Sequence, residues 1–159
     1  MHNKKRNQKL LVMQQHIKLV IVAILLAPLL VKAGEYRSIG VAKAVLYDTP
    51  SLQGKKQFIL TQYYPVEVML TLGNWLKVRD QLGGLNWLEN KDTSAKATVL
   101  VTSPQAEIKQ AADTNSRLVF IAKKDVVFEV LESAKNGWVK IKHVDGLIGY
   151  IQTSAIWGL

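Results

Sequence analysis

After Ala33 the apolar residues fall in short runs broken by turn formers. In GNWLKVRD, Leu76 and Val78 alternate with Trp75, Lys77 and Arg79, and in GWVKIKH, Val139 and Ile141 alternate with Trp138, Lys140 and Lys142. A period of two belongs to a strand with one buried face. The runs FIL (58–60), VEVML (66–70), FIA (120–122) and VVFEVL (126–131) are rich in branched and aromatic residues and read as further strands. Turn signals separate them at Leu72-Gly73-Asn74, Leu82-Gly83-Gly84, Lys135-Asn136-Gly137 and Val144-Asp145-Gly146.

The pattern occurs twice. A shift of 62 positions pairs Ala44 with Ala106, Leu46 with Ile108, Phe58-Ile59 with Phe120-Ile121, and Glu67-Val68 with Glu129-Val130. One extra residue near Lys135 moves the shift to 63, and Trp75 to Arg79 then match Trp138 to Lys142, while Trp87-Leu88 match Tyr150-Ile151. One shift with one slip carries the match, so the sequence predicts two units, 36–92 and 98–159, joined by a linker at 93–97 within the polar segment NKDTSAKA. The nearest approach to a helix, AEIKQAADTNS (106–116), stands opposite AVLYDTPSLQG, which Pro50 and Gly54 mark as a loop, and is read as a loop too. Five short strands in under 60 residues predict an all-β fold of two small closed barrels, each marginal alone at that size. The apolar end Ile156-Trp157-Gly158-Leu159 is available to seal the second unit or the seam between the two.

Charge sharpens the division of the chain. The net charge of +9 suggests nucleic acid at first, but six of the 21 basic residues lie in the first 33 positions, where there is no acid. Beyond them 15 basic residues face 12 acidic ones, interspersed and without a basic run, so no nucleic-acid partner is expected. The same 33 residues have the parts of a secretory signal: a basic start, the apolar run LVIVAILLAPLLV (19–31), and the small-residue end Val31-Lys32-Ala33. Cleavage after Ala33 is expected, with contact to a membrane only through this segment beforehand. The alternative is a retained anchor, against which an apolar run of about 20 Å is short of the roughly 30 Å hydrocarbon layer. There is no cysteine, hence no lipid-attachment cysteine and no disulfide. Export without disulfides leans toward a bacterial periplasmic or secreted protein.

Catalytic chemistry is sparse. His143 is the only histidine after position 33 and sits beside a turn, where a solvated role is the ordinary one. Without cysteine or a second histidine, neither cysteine–histidine catalysis nor a zinc site rich in thiolate or imidazole is expected, and no cofactor is expected. Glu67 and Glu129 recur at matching places in the outward phase of a strand and read as solvent-facing acids. The repeated feature with functional promise is the pair of trios Trp75-Lys77-Arg79 and Trp138-Lys140-Lys142. Period two sets each on one strand face at about 6.5 to 7 Å spacing, so an indole and two cations are available to stack on a sugar or peptide and meet its carboxylates. The competing reading is that each indole covers the outer surface of the fold while the lysine stems flank it. Tyr63-Tyr64 adds aromatics to the first unit alone, since Asp125-Val126 stand opposite.

Taken together, Thr49-Pro50-Ser51, VEVML, GNWLKV and LGGLNWL in the first unit, with FEVLESAKNGWVKI and DGLIGYI in the second, resemble the bacterial SH3-like (SH3b) family. The second unit departs from the pattern at Ala111-Ala112-Asp113, which replaces the proline-containing turn. The resemblance implies two tandem SH3-like five-stranded barrels after the signal segment, in an exported, non-catalytic module of the bacterial cell envelope. It implies peptidoglycan or an envelope protein as the partner, the alternative being a structural or regulatory subunit that binds a protein and no wall ligand. AVLYDTPS (44–51) is also similar to the ALYDY opening of eukaryotic SH3 domains. The proline and tyrosine that those domains place after their last strand are absent, for Glu89-Asn90-Lys91 follow Leu88 and Gln152-Thr153-Ser154 follow Ile151. A proline-rich ligand is therefore not expected.

Overall fold

The computed structural model describes residues 34–159. The expected signal segment, 1–33, and its cleavage point lie outside the described residues. Residues 34–159 form one compact unit. They contain strands and two single 3-10 turns (Asn90–Asp92 and Thr153–Ala155), and no α-helix among the described residues.

The first sheet comprises β1 (Glu35–Ile39), β2 (Lys43–Tyr47), β3 (Lys56–Thr61), β4 (Pro65–Leu72), β5 (Trp75–Arg79), β6 (Leu85–Glu89) and β7 (Thr93–Ser94). The second comprises β8 (Thr98–Val101), β9 (Gln105–Lys109), β10 (Leu118–Lys123), β11 (Val127–Lys135), β12 (Trp138–Lys142), β13 (Ile148–Gln152) and β14 (Ile156–Trp157). All pairings are antiparallel, and the orders β3-β2-β6-β5-β4-β1-β7 and β10-β9-β13-β12-β11-β8-β14 match element for element. The extra residue near Lys135 is taken up by β11, nine residues long against eight in β4. It feeds a tight turn in which Asn136 and Gly137 both have positive φ (51° and 79°), the geometry that suits the right-handed twist of a hairpin.

Four expectations change. Each sheet has seven strands instead of five, and its hydrogen-bonded order is open among the described residues, with β3 and β10 as outer edges. The reason is local. β3 pairs only with β2, and the two residues of β7 pair only with β1, so the ends of the order do not join. The expected loop from 106 also begins as a strand. Ala106 and Ile108 alternate inward in β9 and are buried, so the period-two signal outweighed the turn formers that follow. β7 likewise takes Thr93 and Ser94 from the expected linker.

Each sheet wraps its own core. The first is built from Ile39, Ala44, Leu46, Val66, Leu76, Val78 and Leu88. In the second, the fully buried Phe128 stands among Val99, Ile108, Val139, Ile141 and Ile151. The seam between the sheets is made by β14 and by the turn between β3 and β4. Trp157 pairs along β8 and sets its ring edge-on to Tyr36 of β1, with centroids 5.3 Å apart. Burial, and then the Glu67 carboxylate nearby, push the Tyr36 hydroxyl above the ordinary phenol value. The Thr98 hydroxyl donates to the Tyr63 carbonyl at 2.8 Å.

Candidate functional site

The two trios occupy the outer faces of their own sheets, because the residues between them, Leu76 and Val78 or Val139 and Ile141, point into the cores. Trp75 is half-buried and meets Tyr47 edge-on, with centroids 5.6 Å apart. Lys77 lies opposite Trp87 of β6 and holds its ammonium 5.9 Å from that ring. Arg79 lies opposite Glu67 of β4 and donates to it from Nε (2.8 Å) and Nη2. The first trio is thus a face of three rings, Tyr47, Trp75 and Trp87, with Lys77 among them and its arginine already engaged.

The second trio is arranged differently. Lys109 replaces Tyr47 and pairs with Glu107, so Trp138 has no facing tyrosine. Lys140 is opposite Tyr150 and is bonded to Glu132, which raises the ammonium above its ordinary pKa, first through the hydrogen bond and then through charge. Lys142 is opposite Glu129 but has no carboxylate within 4.0 Å among the described residues, because Glu129 pairs with Lys96 instead (2.9 Å). The six predicted residues therefore form two separate faces, and only Lys142 reaches the seam.

At the seam a cleft of about 290 Å³ opens between the sheets, lined by Tyr63, Lys96, Thr98, Glu129, Lys142 and His143, with Gln62, Val127 and Val144. Tyr63 has a φ of 70°, the left-handed conformation that an aromatic residue rarely takes. Two bonds hold it there: its N–H donates to the Ile39 carbonyl (2.8 Å), and its carbonyl accepts from Thr98. The Lys96 ammonium stands 5.1 Å from its ring.

Three expectations are corrected here. Glu67 and Glu129 are not free solvent-facing acids, since each is ion-paired and the Glu67 side chain is only 12% exposed. His143 is no solvated turn residue. Its ring packs 5.7 Å from Phe128 and 6.0 Å from Phe120, and its Nδ1 is 2.8 Å from Asp145. Backbone donation from Leu147, and then the bond to His143, hold the Asp145 carboxyl below its usual range. Sequence reasoning also missed the cleft. The signal available was Tyr63 itself, an aromatic at a position where the matching residue is Asp125, which also has positive φ (68°) and is a residue type that tolerates it. Among the described residues no three His, Asp or Glu side chains are grouped to hold a metal ion, and no helix is long and apolar enough to cross a membrane.

Against known proteins, no curated protein matches the chain. Among solved structures it is similar to NlpC2 of Trichomonas vaginalis (17% identity, TM-score 0.36, 79% of this chain and 48% of that one). It is also similar to NlpC1 of the same organism (15%, TM-score 0.37, 79% and 46%). A third is an NlpC/P60 family protein of Bacillus cereus ATCC 10987 (14%, TM-score 0.37, 77% and 56%). The chain spans about half the length of these proteins. The family model for the bacterial SH3 domain matches residues 103–158, which run from just before β9 through β14. Across residues 103–158, which hold all of the second sheet but β8, the chain is similar to the bacterial SH3 domain family.

Proposed function

We propose that the chain is an exported, non-catalytic binding module of the bacterial cell envelope. In this reading two tandem SH3-like units, 36–92 and 98–159, follow a cleaved signal segment at 1–33, and peptidoglycan is the ligand. The observation that carries the proposal is the match of residues 103–158 to the bacterial SH3 domain family, with the same strand order in the sheet before it. The outer faces around Trp75, Lys77 and Arg79, and around Trp138, Lys140 and Lys142, are the proposed wall contacts. Their half-buried indoles offer stacking surfaces beside cations. The test is pelleting with purified sacculi. The protein is expected in the pellet, with Trp75→Ala and Trp138→Ala each shifting it toward the supernatant. Protein that stays wholly in the supernatant removes the wall ligand. Mass spectrometry of the exported protein is expected to find Gly34 at its N-terminus, and a chain still starting at Met1 contradicts cleavage.

A second reading, a structural subunit that binds another protein, is favoured by one observation. The outer edge strands carry exposed apolar side chains, Phe58 (57%) and Ile59 (62%) on β3 and Ile121 (51%) on β10. Such edges pair readily with a further strand. Crosslinking through a photoreactive residue at Ile59 separates the two: a protein adduct supports the subunit reading, and adducts confined to wall material support the first.

A further inference from the structure

We propose that the seam cleft is a binding site for the terminal carboxylate of a short peptide, separate from the outer faces considered above. The argument begins with a difference between the sheets. In the first, the cross-strand pair Glu67 and Arg79 closes on itself. In the second, the corresponding pair Glu129 and Lys142 does not, because Lys96, which lies two residues before β8, takes the carboxylate. Lys142 is left at the cleft without an acidic partner among the described residues. With Lys96 and Glu129 cancelling, the lining carries one uncompensated positive charge when His143 is neutral, which suits a monoanion better than a phosphate dianion facing Glu129.

The apolar side of the site is as specific. Tyr63 sits in a backbone conformation that costs an L-residue roughly 1–2 kcal/mol, and strain of this kind persists only where surrounding structure imposes it. Here Ile39 and Thr98 impose it from opposite sheets, and the result is a tyrosine ring held at the cleft and 40% exposed. The cleft, about 290 Å³, is at the small end of ligand sites. A dipeptide end fits that space, with its carboxylate on Lys142, its amide N–H toward Glu129, and a small side chain against Tyr63 and Val127. Two sources supply such an end, the stem peptides of a cell wall and the C-terminus of a protein, and the site reads what they share.

The experiment is an NMR titration of the full-length ¹⁵N-labelled protein with acetyl-Ala-Ala in its D,D and L,L forms, each as free acid and as C-terminal amide. The free acid is expected to shift the amides of Tyr63, Val127 and His143, and amidation to weaken binding at least roughly tenfold, the value of a hydrogen bond to a charged group. Lys142→Gln is expected to produce a similar loss. Tyr63→Asn, whose side chain tolerates positive φ, is expected to weaken binding while keeping the melting temperature and the spectrum of the folded protein. A D,D preference identifies a wall peptide, an L,L preference a protein end, and equal binding a site that reads the carboxylate alone; each supports the site. Equal shifts by acid and amide, indifference to Lys142→Gln, or no shift with any of the four peptides overturns it. Because sacculus binding is tested through Trp75 and Trp138, failure there leaves this site standing, and the reverse also holds.

Discussion

Thr98→Val tests whether the seam is held by the bond that pins Tyr63. The substitution keeps the shape of the side chain and removes the hydroxyl, which is nearly enclosed and donates to the Tyr63 carbonyl at 2.8 Å. No other backbone donor reaches that carbonyl among the described residues, so the variant loses a part-buried hydrogen bond and leaves the acceptor without its partner. Together these cost about 1–3 kcal/mol. The compact unit has 126 residues (34–159), and at about 2.1 cal/mol/K per residue its unfolding entropy makes 1 kcal/mol worth roughly 4 °C in melting temperature. Differential scanning calorimetry is therefore expected to show a fall of roughly 4–11 °C for Thr98→Val, with Thr98→Ser close to the parent because its hydroxyl can still donate. A Thr98→Val protein that melts within about a degree of the parent, or a serine variant as unstable as the valine one, refutes the reasoning.

Phe128→Ala empties the largest fully buried position of the second core and is expected to cost about 3–5 kcal/mol in chemical denaturation. It should also loosen the Phe120 and His143 rings packed on it, which would appear as lost chemical-shift dispersion at His143. Ser38→Ala goes the other way. Its hydroxyl is fully buried with no partner, so removal is expected to be neutral or to stabilise by up to about 1 kcal/mol, read from the denaturation midpoint. Asp145→Ala tests a pH dependence. A carboxyl held below its usual range in the folded state contributes stability that is present above the unfolded pKa and lost as pH falls through the folded one. The parent should therefore lead the variant by a constant margin above about pH 5, a margin that shrinks below about pH 4; a margin that grows on acidification contradicts the assignment.

What could be read from the sequence follows the range of the interactions involved. Alternation in Trp75 to Arg79 and Trp138 to Lys142 is a property of one strand, and the side chains it assigns inward, Leu76, Val78, Val139 and Ile141, are buried. The turn at Asn136-Gly137 is equally local. Strands of two residues, such as β7 and β14, leave no periodic signal, since their pairing depends on partners more than fifty residues away. The trios were legible as faces, but their engagement was not. Whether Lys142 finds a carboxylate depends on where Lys96 comes to rest, and that is fixed by the pairing of Thr98 with Glu129 in β8 and β11. Tyr63 was visible as an unmatched aromatic, while its backbone conformation depends on Ile39 and Thr98 together.

The seam therefore links stability to recognition. Each core has few large side chains, and a sheet of about 60 residues buries too little apolar surface to be secure alone. Two contacts join the sheets, Trp157 on Tyr36 and Thr98 on Tyr63, and the second lies in the wall of the cleft. A change that separated the sheets would take Thr98 away from the Tyr63 carbonyl, while Lys96 would stay beside Glu129, because Ala97 and Thr98 are paired to β11. The cleft has Tyr63 on one wall and Lys142 on the other only while the two sheets stay docked, so loss of peptide binding in Thr98→Val should accompany its loss of stability. In Phe128→Ala at temperatures where the seam is intact, the site should instead survive to the extent that His143 keeps its place.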